Sequence, residues 1–224
     1  TLAATDECTV IAKSYEEDSV WGPTFTLYLE NNTADKTLMF SINGASVNGF
    51  MCEPLWSEEV AAGKKTNSDV SWSTASLGRN GIKYIEEVEF TLKVYDSDDW
   101  GADDFFYETV TLTLENTSTE PANEPVVYDN GFNEISLALT DTVTVIAKDY
   151  GTESLFGPAL VLYLENNSDK TLMYTLDDVS VNGFMCDPFW SSEVMPGKKE
   201  YSYVSWMSST LEENDITAIE KIEA

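Results

Sequence analysis

The chain of 224 residues contains no histidine, three cysteines, and 12 Lys and Arg against 40 Asp and Glu. Without histidine, Ser-His and Cys-His nucleophile pairs are excluded, and the commonest zinc ligand is missing. The net charge of −28 repels phosphate backbones and anionic lipid surfaces, so we expect no nucleic-acid partner. No run of about 18 apolar residues occurs, which predicts no transmembrane segment. The sequence also lacks the Gly-x-Ser-x-Gly, P-loop and Cys-x-x-Cys motifs.

A domain-sized sequence is present twice in the chain. Residues 10–15, VIAKSY, return as residues 145–150, VIAKDY, and residues 46–52, SVNGFMC, return unchanged as residues 180–186. The offset is about 135 residues, and roughly half of the aligned positions are identical. A period of this length corresponds to a whole domain rather than to a solenoid unit.

Within each copy, apolar and polar residues alternate with a period of two. The inward positions of the same predicted strand are Leu27 and Leu29 in the first copy and Leu162 and Leu164 in the second. This pattern is typical of strands with one buried face. Frequent turns, such as Asn48-Gly49 and Asn182-Gly183, predict hairpins. We therefore predict an all-β fold of two tandem immunoglobulin-like antiparallel β-sandwich domains, with an eight-stranded barrel as the alternative.

Domain boundaries follow from a polar segment with two prolines at residues 116–125, which predicts a linker. The first β-sandwich repeat is then residues 1–115 and the second is residues 126–224. The first copy continues into an apparent hairpin that the second lacks, so we expect a strand from a longer chain or another subunit to cover the open edge. Residues 126–131 are interpreted as a strand and turn without a counterpart in the first copy.

Further local signals concern a helical turn, the cysteines and the start of the chain. Capping-box spacing at residues 209–212 predicts one short helical turn in the second copy. Cys52 and Cys186 align with each other and Cys8 aligns with Val143, so we interpret all three as buried thiols, with a Cys8–Cys52 disulfide as the alternative. The chain begins at Thr1, and we expect either a removed leader or a start inside a longer protein.

Several runs that both copies share also carry a family resemblance. LYLENN, DKTL, SVNGFM and EVxxGKK resemble the uncharacterised, telokin-like immunoglobulin-fold modules of secreted proteins and lipoproteins of Gram-positive anaerobic bacteria. The resemblance covers both repeats and not the linker. It implies an extracellular or cell-surface location, and it transfers no functional residue.

One acidic loop is the candidate metal site. Its carboxylates are Asp96, Asp98, Asp99, Asp103 and Asp104. These residues offer oxygen ligands to Ca²⁺, but the spacing does not match an EF-hand, since Trp100 stands at the fifth position and Tyr107 at the twelfth. A solvated hairpin tip whose charges discourage edge pairing is the simpler interpretation. We therefore predict neither a resident metal nor a cofactor.

Four tryptophans are shared by the two copies. Trp72 and Trp206 end a predicted strand and are interpreted as core residues. Trp56 and Trp190 follow Glu-Pro-Leu and Asp-Pro-Phe, and they are either core residues or an aromatic binding surface. We predict a non-catalytic extracellular spacer or protein-interaction module, with a carbohydrate-binding module that uses Trp56 and Trp190 as the alternative.

Overall fold

Strands and two short helices make up the regular structure of the computed structural model, which describes residues 1–99, 101–115, 120–128, 131–154 and 157–224. The chain divides into two units, residues 1–125 and residues 126–224. The fold is all-β, and none of the sheets in the described ranges closes into a barrel. No helix in this part of the chain is long and apolar enough to cross a membrane.

The first unit contains two antiparallel sheets. In chain order its elements are β1 (Ala3–Ala4), β2 (Cys8–Glu16), β3 (Thr24–Asn31), β4 (Leu38–Val47), β5 (Phe50–Met51), β6 (Ser57–Val60), β7 (Lys65–Ser71), α1 (Thr74–Arg79), β8 (Glu87–Asp96) and β9 (Phe106–Thr113). One sheet has the order β1-β2-β3-β7. The other contains β5-β4-β8-β9, and β6 pairs with β4.

Both sheets contribute to a single core in the first unit. Leu27 and Leu29 from β3 are buried in the same cluster as Phe40 from β4 and Phe90 from β8. Trp72, directly after β7, is buried with them. The predicted alternation is confirmed, because the intervening residues of β3 are more exposed than these inward positions. The predicted pairing of two strands beyond residue 87 is also confirmed, since β8 and β9 pair over eight residue pairs.

The described residues of the second unit form a related series of elements, with two strands in place of β4 and one strand after the helix. They are β10 (Ile135–Leu139), β11 (Val143–Ser154), β12 (Gly157–Asn166), β13 (Leu172–Thr175), β14 (Ser180–Val181), β15 (Phe184–Met185), β16 (Ser191–Val194), β17 (Lys199–Val204), α2 (Ser208–Glu213) and β18 (Ile222–Glu223). Strands β10-β11-β12-β17 pair in that order, and β13 pairs with β16. Strand β14 pairs with both β15 and β18.

The predicted Asn-Gly hairpins are confirmed in both units. Asn48 and Gly49 have φ of 48° and 82° between β4 and β5, and Asn182 and Gly183 have 51° and 86° between β14 and β15. A type I′ turn requires positive φ at both central residues, which Asn and Gly tolerate best. Each asparagine side chain also accepts two backbone hydrogen bonds, from residues 86 and 87 in the first unit and from residues 220 and 221 in the second.

Two local predictions need correction. The helical turn occurs in both copies, and α2 begins after Met207, without a side-chain cap, rather than at the predicted capping box. The strand predicted within residues 126–131 is absent at residues 126–128, while residues 129–130 lie outside the described ranges. The strand is β10 instead, and it does have a counterpart, because Ala138 pairs with Val145 as Ala3 pairs with Val10.

Part of the predicted linker packs on the first unit. The carbonyl of Ala122 accepts hydrogen bonds from the backbone N–H groups of Lys83 and Tyr84 at 2.8 and 3.3 Å. Asn123 forms an isolated β-bridge with Ile82, and Lys83 forms an ion pair with Glu124. Residues 120–125 therefore lie within the first unit, and residues 116–119 are outside the described ranges.

Candidate binding surface

The segment that connects β5 to β6 is anchored in the same way in both units. The backbone N–H of Cys52 donates to the carbonyl of Ala45, and that of Cys186 donates to Val179, each at 2.9 Å. The carbonyl of Cys52 in turn accepts from Trp72 Nε1 at 2.8 Å. In the second unit Trp206 Nε1 donates to the carbonyl of Cys186 at 2.7 Å. The buried tryptophans thus fix the start of this segment, as their predicted core position requires.

The next residue of the segment, Glu53 or Asp187, is anchored through its own carboxylate. Glu53 Oε1 accepts a hydrogen bond from the backbone N–H of Ala45 at 2.6 Å. Asp187 Oδ1 accepts from the N–H of Val179 at 2.7 Å. A buried backbone N–H without an acceptor would be costly, so an acidic residue here has a structural role in both copies.

Trp56 and Trp190 end the segment, and each is half-buried. Trp56 Nε1 donates to Ser68 Oγ, and Trp190 Nε1 donates to Ser202 Oγ, both at 3.0 Å. One hydrogen bond thus ties the indole of Trp56 to β7 and that of Trp190 to β17. The sequence left open whether these rings are core residues or part of a binding surface. Each ring is partly buried in its unit and partly exposed to solvent, so it has features of both.

The most exposed apolar side chains of the segment lie between these anchors. Leu55 is 105% exposed and Phe189 is 92% exposed, and they occupy the same position in the two copies. The preceding prolines, Pro54 and Pro188, are buried. Sequence reasoning missed both residues, although an apolar residue between Pro and Trp in both copies was the available signal. An exposed apolar side chain on an anchored segment is typical of contact surfaces.

Beside this segment the second unit carries an open groove of about 420 Å³. Phe189 and Trp190 provide its aromatic part, and the carboxylates of Asp177 and Asp187 provide its polar part. Thr175, Leu176, Pro188 and Ser191 complete the lining. Aromatic faces next to hydrogen-bonding oxygens can bind both apolar side chains and sugar rings.

Three of the five carboxylates in the acidic loop that is the metal candidate take part in other interactions. Asp96 is buried, and its Oδ2 accepts from Lys36 Nζ at 2.7 Å. This hydrogen bond lowers the pKa of the Asp96 carboxyl. Asp104 forms an ion pair with Lys93 at 3.4 Å. Asp99 accepts from the N–H of Gly101. Across the described ranges, which omit Trp100, no group of three or more potential metal ligands comes together.

The three cysteines are free and buried. The alternative Cys8–Cys52 disulfide is therefore not formed. Burial raises the pKa of the Cys8 thiol, and its neighbour Thr5 contacts Sγ at 3.5 Å. A buried thiol with a raised pKa is a poor nucleophile, so Cys8 acts as a small core residue.

A second exposed apolar pair lies in the first unit, in the turn before β3. Val20 and Trp21 are largely exposed. Gly22 follows with φ of +95°, and a Cβ atom there would lie 2.2 Å from the carbonyl oxygen of Trp72. Only glycine fits this position, because a side chain there would collide with the backbone of Trp72. The corresponding side chains of the second unit lie outside the described part of the chain.

Comparison with protein-family models and with curated protein sequences finds no match to this chain.

Proposed function

We propose that this chain is a non-catalytic protein-interaction module built from two tandem immunoglobulin-like β-sandwiches. The observation that carries the proposal is the full exposure of Leu55 and Phe189 at the same position of the two units. Each follows a buried proline and precedes a tryptophan whose indole N–H donates a hydrogen bond to a serine on β7 or β17. An apolar side chain held outward in this way loses little conformational freedom on binding.

The electrostatic character of the chain narrows the class of partner. With 40 acidic and 12 basic residues, long-range attraction favours a protein whose contact surface is basic around an apolar centre. The resemblance of the shared motifs to modules of secreted proteins and lipoproteins supports an extracellular or cell-surface setting. Two repeated units in that setting also suit a spacer that presents such contacts away from the surface.

The alternative function is carbohydrate binding. The groove of about 420 Å³ beside Phe189 and Trp190 favours this candidate, because it combines aromatic rings with the carboxylates of Asp177 and Asp187. In this case Trp190, and by the repeat Trp56, would present a ring face to a sugar.

Selection of phage-displayed random peptides on the immobilised chain tests the two candidates. We expect the enriched peptides to bind the wild-type chain at least about tenfold more tightly than the Leu55→Ser, Phe189→Ser double variant. Leu139→Ser is the matched control, because Leu139 is also strongly exposed but lies on β10. Equal binding to both variants would contradict the proposal. A glycan-array ligand that is lost on Trp190→Ala would favour the alternative.

A further inference from the structure

One edge of the sheet that contains β4 and β8 is open in the first unit. Strand β9 is the last strand on this side, and among the described residues it pairs with β8 alone. It is eight residues long and has the sequence FYETVTLT. An edge of this length presents a row of backbone N–H and C=O groups with which another extended chain can pair.

The hydrogen bonds of β8 show which residues of β9 point to this edge. Just beyond the strand ends, the N–H of Ser97 donates to the carbonyl of Thr37, and the N–H of Leu114 donates to the carbonyl of Glu86. Because bonds alternate between the two sides of a strand, odd-numbered residues of β8 bond to β4 and even-numbered residues bond to β9. The residues of β9 whose backbone groups face the open edge are therefore Tyr107, Thr109, Thr111 and Thr113.

The apolar side chains of β9 on the core face are only partly covered. Phe106, Val110 and Leu112 pair with buried residues of β8 and pack against the core, but each is itself half-buried. A further strand beside β9 would remove more of this apolar surface from water, which favours its binding.

The only charged residue of β9 interrupts this apolar row. Glu108 pairs with Leu92, which is 0% exposed. Directly paired residues point to the same face of a sheet, so the exposed Glu108 side chain lies on the core face. A further strand would cover its carboxylate, and a covered carboxylate without a cation is costly. The edge therefore disfavours a strand that is apolar throughout and favours one with Lys or Arg opposite Glu108.

The surroundings of the edge carry the same sign of charge. The hairpin from residue 86 to residue 115 has ten acidic residues and one basic residue, Lys93. Lys93 Nζ lies 3.4 Å from Asp104 Oδ1, so its charge is already paired. A second copy of this chain would bring an equally acidic hairpin to the edge, whereas a basic strand is attracted to it.

We propose that the open edge of β9 binds an extended strand of a partner protein, and that this strand carries Lys or Arg opposite Glu108. The strand runs antiparallel to β9 and hydrogen bonds to residues 107, 109, 111 and 113. Since Glu108 bonds to β8, it forms a non-hydrogen-bonded pair with the added strand, in which opposite side chains lie closest. Apolar residues two positions before and after the cation cover Val110 and Phe106.

This edge is separate from the surface of the proposed function, because Leu55 and Phe189 lie on the segments between β5 and β6 and between β15 and β16. The two proposals can therefore fail independently of each other. A Leu55→Ser, Phe189→Ser variant is expected to bind the added strand with unchanged affinity.

The probe is a cyclised β-hairpin peptide whose free strand has the sequence TVTKTVT. Cyclisation holds the strand extended before binding, and the central Lys is placed to meet Glu108. Nuclear magnetic resonance titration of the 224-residue chain is expected to show saturable shifts of the amide signals of residues 107, 109, 111 and 113. The same peptide with Glu in place of Lys should bind at least about tenfold more weakly.

Charge reversal at two glutamates locates the ion pair. Glu108→Lys is expected to invert the preference, so that the Glu peptide binds more tightly than the Lys peptide. Glu87→Lys is the matched control, because it changes the net charge equally and Glu87 is exposed on the outer face of β8. It should keep the preference of the wild type.

A proline substitution tests the backbone pairing. Thr109→Pro removes an N–H that faces the open edge and leaves the bonds between β8 and β9 in place. The affinity for the Lys peptide is expected to fall at least about tenfold. Thr109→Val keeps the N–H and should bind like the wild type, and thermal denaturation of both variants checks that they fold.

Four results would overturn the proposal. The first three are no saturable binding of the Lys peptide, the same peptide preference for wild type and Glu108→Lys, and unchanged affinity of a folded Thr109→Pro variant. The fourth is a dimer of the free chain that Thr109→Pro dissociates. That result would show that a second copy of the chain, and not a basic strand, occupies the edge of β9.

Discussion

At the scale of single residues, the asparagines at the end of β3 and β12 show how one side chain can replace several backbone partners. Asn31 Nδ2 donates to the carbonyls of Lys36 and Val60 at 2.8 and 2.7 Å. Its Oδ1 accepts from the backbone and side chain of Thr33. Asn166 makes the corresponding bonds with Lys170, Val194 and Ser168. These bonds join two strands that do not pair directly with each other at this point.

Replacing Asn31 by alanine is expected to lower the free energy of unfolding by roughly 3 kcal/mol, since two carbonyls lose their donor in a largely buried place. Chemical denaturation measures this loss. Asn32→Ala is the matched control, because the neighbouring Asn32 side chain is exposed and makes one contact of 3.4 Å with Thr9. Its cost should stay within about 0.5 kcal/mol. Equal losses for the two variants would contradict the structural role of Asn31.

The ion pair of Lys36 with Asp96 gives a pH dependence of stability. Because Lys36 lowers the pKa of Asp96 in the folded state, the pair stabilises the protein above the ordinary aspartate pKa of about 4. The contribution is lost as the pH falls through the lower pKa of the folded state. The stability difference between wild type and Lys36→Met should therefore shrink as the pH is lowered from about 5 to 2.

Denaturant titrations at several pH values measure that difference. The other acidic residues titrate in both the wild type and Lys36→Met, so their contributions cancel in the stability difference. Lys65→Met is the control, since Lys65 contacts Glu30 at 4.0 Å and is largely exposed. A difference for Lys36→Met that stays constant across the range would show that Asp96 does not titrate with its partner.

At the scale of elements, the turn after β8 is held by protein cations. Lys36 and Lys93 bind the carboxylates of Asp96 and Asp104 at its two ends. Lys93 also lies 4.8 Å from the ring centre of Tyr95. These contacts neutralise part of the negative charge that the turn would offer to a metal ion.

Calcium at millimolar concentration is therefore expected to leave the melting temperature of the chain unchanged at moderate salt. Differential scanning calorimetry with and without Ca²⁺ tests this expectation. A rise of several degrees, abolished by the combined Asp98→Asn and Asp103→Asn substitutions, would instead identify a calcium site in this turn.

At the scale of the whole molecule, the two units use matched residues with unequal burial. Strands β2 and β3 pair with each other as β11 and β12 do. One sheet of each unit therefore has the same strand pairing. The other layer differs, because β8 and β9 cover β4 in the first unit. Among the described residues of the second unit, β18 is the strand that lies where β8 begins in the first. Local stability should follow this difference.

We expect the backbone amides of residues 172–176 to exchange faster than those of residues 38–42, by at least about tenfold. The amides of β12 should exchange at rates similar to those of β3, since both strands have a partner on each side. Hydrogen exchange of the free chain followed by mass spectrometry measures both comparisons. Equal protection of residues 172–176 and 38–42 would show that the edge of β13 is covered.

Local patterns in the sequence determined the repeat, the strands and the hairpin turns. Alternation placed Leu27, Leu29, Leu162 and Leu164 in the cores, and Asn-Gly placed both turns, because these signals act over a few neighbouring residues. Only the tertiary structure decided the exposure of Leu55 and Phe189, the pairing of Lys36 with Asp96 and the apolar cleft beside β18. Each of these depends on what packs across the fold from a distant part of the chain, and the period of a strand carries no information about that partner.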